Sequence, residues 1–193
     1  MTTVSMTSKS ECSIFRIGMN YAIILRNMHA EFNPSDIKLI IALGNPGKEY
    51  EHAYHNAGFL FIDHLTKEAR PFFPALAAPP QKSDVFMNDS GRYVGALMKR
   101  HGVVPEELLL AHDDTDLPLG TYKLLFARGS AGHKGVASVI GALGTNAFWR
   151  LRIGTRSPRE KREAEAFVLK RMPLRARRTL ESAFKSFTEQ FEG

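Results

Sequence analysis

The chain has one cysteine, Cys12, among 193 residues, so neither an intramolecular disulfide nor a multi-cysteine zinc site is expected. It also lacks the roughly 18–20 consecutive apolar residues that span a bilayer. The best candidate, residues 12–25, is interrupted by Arg16 and Asn20. The chain also lacks the composition of a disordered protein, because 44% hydrophobic and 24% charged residues are ordinary for a globular chain. The length suits one domain, and the lone cysteine fits a reducing compartment, so a cytoplasmic location is predicted.

Several catalytic motifs are also missing. No Gly-Xaa-Ser-Xaa-Gly elbow is present, so Ser130 is not expected to be a nucleophile. The Gly-Asn-Pro-Gly turn at 44–47 is too short for a phosphate loop and lacks its Gly-Lys-Ser/Thr ending. Neither His-Glu-Xaa-Xaa-His nor a calcium-loop spacing occurs. Serine hydrolases, zinc peptidases and P-loop NTPases are therefore disfavoured.

Charge is distributed unevenly along the chain. Residues 121–193 contain 15 Lys or Arg and 6 Asp or Glu, a net of +9, whereas residues 1–120 contain 11 and 14, a net of −3. A basic segment on a slightly acidic body suggests a surface for a polyanion, with nucleic acid the first candidate. Solvated basic helices produce the same pattern, so charge alone does not decide the function.

Residues 1–36 show no clear hydrophobic period and are predicted to be a poorly ordered N-terminal extension before a domain over 37–193. Lys9, Arg16 and Arg26 leave a mitochondrial presequence open, but the acidic residues Glu11 and Glu31 argue against it. Translation from an upstream start codon is the simpler alternative.

Alternating strand and helix patterns predict an α/β fold. Apolar runs at 38–43, 108–111, 122–127 and 148–153 predict strands, and helical spacing predicts helices over 59–68, 90–102, 136–143 and 173–191, with Ser90 capping the second. The proline-rich stretch 69–81 is predicted to be irregular. Strands and helices joined by short connections indicate one domain with a mixed, mostly parallel twisted sheet flanked by helices.

Two predicted strands end in polar residues, where open α/β sheets bind ligands. The first strand leads to Asn45, which a structural turn explains equally well, and then to His55. The second runs into His112 and Asp113, and a histidine beside a carboxylate can form a general base. A metal site built from 112–116 is the alternative, although no ligand spacing supports it.

The glycine-bearing loop 129–135, which follows a third predicted strand, contains His133 and Lys134. Its backbone amides and the Lys134 ammonium suit a phosphate, and a solvated turn is the plain alternative.

With these residues in view, the chain resembles the bacterial-type peptidyl-tRNA hydrolases. The resemblance rests on blocks in the family's order: IIALGNPGKEYEHAYHNAGF, VFMNDSG, LLLAHDDTDLPLG, GHKG, and FWRLRIGTRSP followed by FVLKRMP. It covers Ile37 to the C-terminal helix. It implies an α/β monomer that needs no metal or other cofactor, no membrane and no protein partner. It also implies cleavage of the ester between peptide and ribose in peptidyl-tRNA, which recycles tRNA from stalled or aborted translation.

The resemblance further implies roles for individual residues. His55 matches the histidine that acts as general base on water, and Asp113 matches the carboxylate that orients it. Asn45 and Asn88 match amides that position the peptide and the attacked carbonyl. Other matched positions are substrate-binding (Tyr50, His133 and Lys134) or directed at tRNA phosphates (Lys123 and Arg152).

The chain departs from the family pattern in several places. The residues that differ are Tyr54 for an arginine, Leu125 for a second basic residue, Lys134 for an asparagine and Arg156 for a glycine. The segment between Gly58 and Met87 is short, and Pro/Ala-rich sequence replaces a sheet hairpin. These departures keep an alternative open, a homologue that binds RNA in RNA processing without hydrolysing esters. The intact polar residues Asn45, His55, Asn88 and Asp113 favour the hydrolase.

Overall fold

A computed structural model of the protein describes residues 13–17, 20–24, 31–68, 72–157 and 163–191. The strands are β1 Ser13–Ile17, β2 Asn20–Ile24, β3 Leu39–Ala42, β4 Gln81–Lys82, β5 Leu108–Pro118, β6 Tyr122–Phe126 and β7 Trp149–Arg156. The helices are α1 Ala57–Glu68, α2 Ser90–His101, α3 Lys134–Leu143, α4 Ala164–Val168 and α5 Leu174–Glu189.

The strands form one sheet in the order β1-β2-β6-β7-β5-β3-β4. Strands β7, β5, β3 and β4 are mutually parallel, and β2 also runs parallel to β6. The β6–β7 and β1–β2 pairs are antiparallel. The prediction of a single α/β domain with a mixed, mostly parallel sheet is therefore confirmed.

Two apolar clusters cover the two faces of the sheet. Helices α1 and α5 contribute Phe61 and Phe184 to the first cluster, and α2 and α3 contribute Val94 and Val136 to the second. The consecutive β5 residues 108–111 alternate between the clusters, since successive side chains of a strand point to opposite faces. A strand buried on both faces is continuously apolar, which is why the sequence shows runs rather than alternation here.

Several elements differ from their predicted bounds. Strand β5 continues past Ala111 to Pro118, because Asp113 and Asp114 pair with Ile153 and Gly154 of β7. The short elements β4 and α4 have no periodic signal and were not predicted. Strands β1 and β2 lie within the predicted extension over 1–36. The rest of residues 1–30 lies outside the described residues, and the order of the extension stays a prediction.

The start of α2 also differs from the prediction. The N-cap is Asp89, at the end of a 3-10 turn over Met87–Asp89, and it forms no side-chain capping bond. Ser90 is buried as the first helical residue, so the predicted Ser90 cap is wrong.

Helices α2 and α3 approach closely at Gly91. A Cβ there would lie 2.1 Å from the backbone oxygen of Ser138, so only glycine fits. The Gly91 amide donates to Ser138 Oγ (2.9 Å), which donates to the backbone oxygen of Asn88 (2.7 Å). This contact holds the turn that contains Asn88.

Over the residues that the structure describes, no helix combines the length and apolar character needed to cross a bilayer.

Candidate active site

A cleft of about 460 Å³ opens where β3 and β5 end and α3 begins. Six of the residues to which the resemblance gave a role line it: Asn45, His55, Asn88, Asp113, His133 and Lys134. Tyr50 does not line it, but its ring packs edge-on against Phe86, which does (6.3 Å between centroids). Lys123 and Arg152 lie outside the cleft, on β6 and β7.

The Asp113 carboxylate is the centre of the polar network. Its Oδ1 lies 2.6 Å from Nδ1 of His55 and 3.0 Å from Nε2 of His133. Asp113 is 2% exposed, so both histidines approach a carboxylate withdrawn from solvent. Strand β5 supplies the carboxylate, and segments from opposite faces of the sheet supply the two rings.

The hydrogen bonds determine which ring nitrogens carry protons. The Val136 amide donates to Nδ1 of His133 (3.2 Å), so the His133 proton is on Nε2 and is donated to Asp113. His55 donates from Nδ1 to the same carboxylate, which leaves the lone pair on its Nε2. No hydrogen-bond partner for that nitrogen occurs among the described residues. His55 is therefore the histidine whose second nitrogen remains available in the cleft.

The charge of Asp113 is strongly stabilised. Burial by itself raises the pKa of this carboxyl, but the His133 and His55 charges and hydrogen bonds outweigh burial and hold the pKa far below its usual range. A permanently ionised carboxylate beside an imidazole favours the charged imidazolium, as a general base requires.

His112 is a third histidine in this cluster, buried beneath the other two. Its Nδ1 donates to the backbone oxygen of Asp113 (2.7 Å), and its ring packs edge-on against His133 (4.7 Å between centroids). Its Nε2 is buried without a partner among the described residues. Burial, followed by the His133 charge, lowers the pKa of His112 well below its ordinary value, so the ring is neutral.

Reciprocal hydrogen bonds fix the loop that contains Asn45. The backbone N–H of Asn45 donates to Oδ1 of Asn56 (2.8 Å), and Nδ2 of Asn56 donates to the backbone carbonyl of Asn45 (2.9 Å). Because Asn56 follows His55, these bonds couple the loop to the histidine. The Asn45 Oδ1 accepts a hydrogen bond from the backbone N–H of Met87 (3.3 Å). This bond directs the Nδ2 group of Asn45 toward the cleft.

Sequence reasoning assigned no role to Asn56 or Ser83. Asn56 is 1% exposed, and its place beside His55 in one motif was an available signal. The buried Ser83 hydroxyl bonds the amide and carbonyl of Gly44 (3.2 Å each), and no local pattern indicated it.

The cleft rim combines polar and apolar side chains. Asn88 and Lys134 are exposed at one side, next to Phe86, which is 54% exposed. Leu169, just after α4, is 51% exposed and also lines the cleft. The cleft mouth therefore offers both apolar and polar groups for contact.

One group of three potential metal ligands occurs within the described ranges: His55, Asp113 and His133, whose ligand atoms lie within 4.8 Å of one another. The same nitrogens that a metal would need donate their protons to Asp113. The three side chains therefore already form a hydrogen-bonded triad. The alternative of a metal site at 112–116, which no ligand spacing supported, gains no support from the structure, because Asp114 pairs with Arg152.

The comparisons with known proteins agree with this geometry. The family model described as "Peptidyl-tRNA hydrolase" matches residues 39–192. A peptidyl-tRNA hydrolase of Aquifex aeolicus (strain VF5) is 42% identical over 148 residues, which is 69% of this chain and 77% of the relative. The chain belongs to the peptidyl-tRNA hydrolase family.

Other members of the peptidyl-tRNA hydrolase family give the same result. A relative from Neisseria meningitidis (strain FAM18) is 39% identical over 162 residues, 76% of this chain and 84% of its own length. The crystal structure of peptidyl-tRNA hydrolase from Acinetobacter baumannii superposes with a TM-score of 0.69 at 30% identity, over 84% of this chain and 90% of that one.

Beside its cleft, this peptidyl-tRNA hydrolase carries a group of cations that we call the basic face: Lys123 on β6, Arg128 after β6, and Arg150 and Arg152 on β7. Lys123 and Arg152 are partners in the β6–β7 ladder. Arg152 donates from Nε to Oδ2 of Asp114, which also lines the cleft. Arg150 is 1% exposed, and its Nε and Nη1 have no partner among the described residues.

Proposed function

We propose that this chain hydrolyses the ester between peptide and tRNA in peptidyl-tRNA, with His55 as the general base. The observation that supports it is the His55–Asp113 pair at 2.6 Å, with His55 Nε2 open to the cleft, in a member of the peptidyl-tRNA hydrolase family. Within that family the substrate is an ester, whose ribose oxygen is a good enough leaving group that no covalent enzyme intermediate is required.

The reaction proceeds in two proton-transfer steps. His55 Nε2 takes a proton from a water molecule as its oxygen attacks the ester carbonyl, and Asp113 stabilises the imidazolium that forms. The side-chain amide of Asn88 donates to the developing oxyanion. As the bond between carbonyl carbon and ribose oxygen breaks, the imidazolium returns the proton to that oxygen. The products are the peptide carboxylate and deacylated tRNA.

The remaining cleft residues position the substrate. Asn45 Nδ2 binds the peptide backbone, and Lys134 and the Tyr50-supported Phe86 contact the substrate at the rim. His133, with both nitrogens bonded, orients Asp113 rather than exchanging protons. Lys123 and Arg152 bind tRNA phosphates, which accounts for part of the excess of positive charge in residues 121–193. We further propose that the enzyme acts as a cytoplasmic monomer.

No finding favours the alternative of a non-hydrolysing RNA-processing homologue. The four polar residues that favour hydrolysis surround one cleft, and the family matches carry the name of the hydrolase.

Ester cleavage by wild type, His55→Ala and His101→Ala tests this function. His101 ends α2, away from the cleft, and serves as the matched control. On N-acylated aminoacyl-tRNA we expect His55→Ala to lose on the order of 10²–10⁴-fold in rate and His101→Ala to match wild type. Unchanged turnover in His55→Ala would reject the mechanism. Tight tRNA binding by wild type without cleavage at high enzyme concentration would decide for the RNA-binding alternative.

A further inference from the structure

The boundary between the cleft and the basic face is a single ion pair. Asp114 lies on β5 next to the catalytic carboxylate Asp113, and its side chain turns to the face of the sheet that carries Arg152. The Asp114 Oδ2 accepts from Nε of Arg152. The Arg152 side chain is 16% exposed, so the pair is largely withdrawn from water.

Asp114 is itself held rigidly. Its Oδ1 accepts the backbone amide of Asp116 (2.8 Å), and its carbonyl accepts the Thr155 hydroxyl (3.2 Å). With Gly154 as its ladder partner, both the backbone and the carboxylate orientation are set by neighbouring chain. A fixed carboxylate can impose its geometry on a flexible arginine.

The point of attachment on Arg152 matters. A carboxylate on Nε occupies the guanidinium edge that Nε shares with one Nη group, and it leaves the opposite edge, which carries one N–H of each Nη group, directed away from it. No other hydrogen bond of Arg152 occurs among the described residues. The Nη groups of Arg152 are thus oriented before any ligand arrives.

Arg150 adds a reason for such a clamp. It lies two residues before Arg152 on the same face of β7 and is buried. Burial and then the charge of Arg152 lower its pKa to about 10, so it stays protonated and repels Arg152 at neutral pH. Asp114 opposes this repulsion. Without it, the Arg152 side chain would be driven away from its observed position.

We propose that Asp114 is a positioning residue, which holds Arg152 by Nε so that its two Nη groups are presented to a tRNA phosphate. This inference rests on the proposed contact between Arg152 and tRNA. It predicts a change in tRNA affinity opposite in sign to the change that net charge alone predicts. Removing an acid beside a polyanion-binding surface should strengthen binding, whereas loss of this clamp should weaken it.

The test measures binding of deacylated tRNA to the full chain, with no hydrolysis involved, across a salt series. We expect Asp114→Asn to weaken binding about tenfold, the scale of one charge-assisted hydrogen bond, and to reduce the salt slope by about one. The matched control Asp116→Asn removes an equal charge from a side chain that holds no arginine, and it should bind tRNA as well as wild type or better. Tighter binding by Asp114→Asn, as in the control, would overturn the proposal.

A double-mutant cycle with Arg152 separates positioning from general damage. In an Arg152→Ala background, Asp114→Asn should cause no further loss, since nothing remains to be positioned. Arg152→Lys, which keeps the charge but not the clamped fork, should also weaken binding; full affinity in that variant would contradict the role of the fork. If Asp114→Asn fails to unfold cooperatively, the Arg152→Lys result decides. Wild-type ester cleavage is scored separately, so failure of the hydrolase assignment remains distinguishable from failure of the clamp.

Discussion

The Asp113 cleft and the basic face lie side by side on the sheet but differ in how far the protein itself pairs their charged groups. In the cleft, one carboxylate accepts from two histidines, and both nitrogens of His133 are bonded to protein. On the basic face, Arg150 is buried with two nitrogens unpartnered among the described residues, and Asp114 alone is paired with Arg152.

This difference agrees with the roles proposed for the two regions. Proton transfer needs one tautomer and one orientation of His55 before substrate arrives, so the protein itself satisfies the network. Polyanion binding gains from charge that the protein leaves uncompensated, because the ligand supplies the missing negative charge. A buried cation with unpartnered nitrogens costs folding free energy, so under the proposed role the basic face loses some stability and gains affinity for tRNA.

The largest expected effect breaks the network in the cleft. Asp113→Asn leaves His55 and His133 a neutral acceptor, which fixes their tautomers less well and cannot stabilise the imidazolium. We expect kcat for ester cleavage to fall on the order of 10²–10⁴-fold, while the Kd for tRNA, measured at fixed salt, stays near that of wild type. Arg152→Ala should show the converse, weaker tRNA binding with cleavage of a minimal ester fragment nearly intact. If both variants lose both properties equally, the cleft and the basic face are not separable.

An intermediate effect concerns His112, whose Nε2 is buried in the cleft without a partner among the described residues. Its pKa is lowered on folding, so its stabilising contribution is complete above the unfolded value of about 6.5 and is lost as pH falls toward the folded pKa. We expect the wild-type free energy of unfolding to drop by up to about 1.4 kcal/mol per pH unit from this group below pH 6.5.

Denaturant unfolding at a series of pH values checks the His112 prediction. His112→Asn, whose Nδ2 can replace the ring donor to the Asp113 carbonyl, should flatten the decline between roughly pH 6.5 and 5. His101→Asn, at the end of α2, should keep the wild-type dependence. An unchanged slope in His112→Asn would show that another group titrates there.

Much of the cleft was accessible to sequence reasoning because its residues follow apolar strands. Asn45 lies three residues after the end of β3, His112 and Asp113 lie within β5, and parallel strands bring such ends to one edge of a sheet. The His55–Asp113 distance of 2.6 Å needed the structure, because 58 residues separate the two and the tertiary packing of the His55 turn and α1 against β5 brings them together.

The parts that escaped prediction depend on contacts with no local pattern. Asn56 acts through a reciprocal bond to another loop, and Ser83 follows the proline-rich stretch and belongs to no periodic pattern. Arg150 alternates with apolar residues along β7, and that alternation predicts an exposed side chain. It is buried instead, which tertiary structure alone determines.

The smallest expected effect tests the cost of the basic face. Arg150→Met replaces a buried cation, two of whose nitrogens have no partner among the described residues, with an apolar chain of similar length, so we expect the free energy of unfolding to rise by about 1 kcal/mol. Since Arg150 is buried and adds charge without touching a phosphate, tRNA affinity should fall only about two- to threefold, with an unchanged salt slope. Arg100→Met, on the exposed surface of α2, removes the same charge without burial and should change stability by less than about 0.5 kcal/mol. A marked destabilisation by Arg150→Met would mean that its charge is compensated within the protein, and the contrast between the two regions would no longer hold.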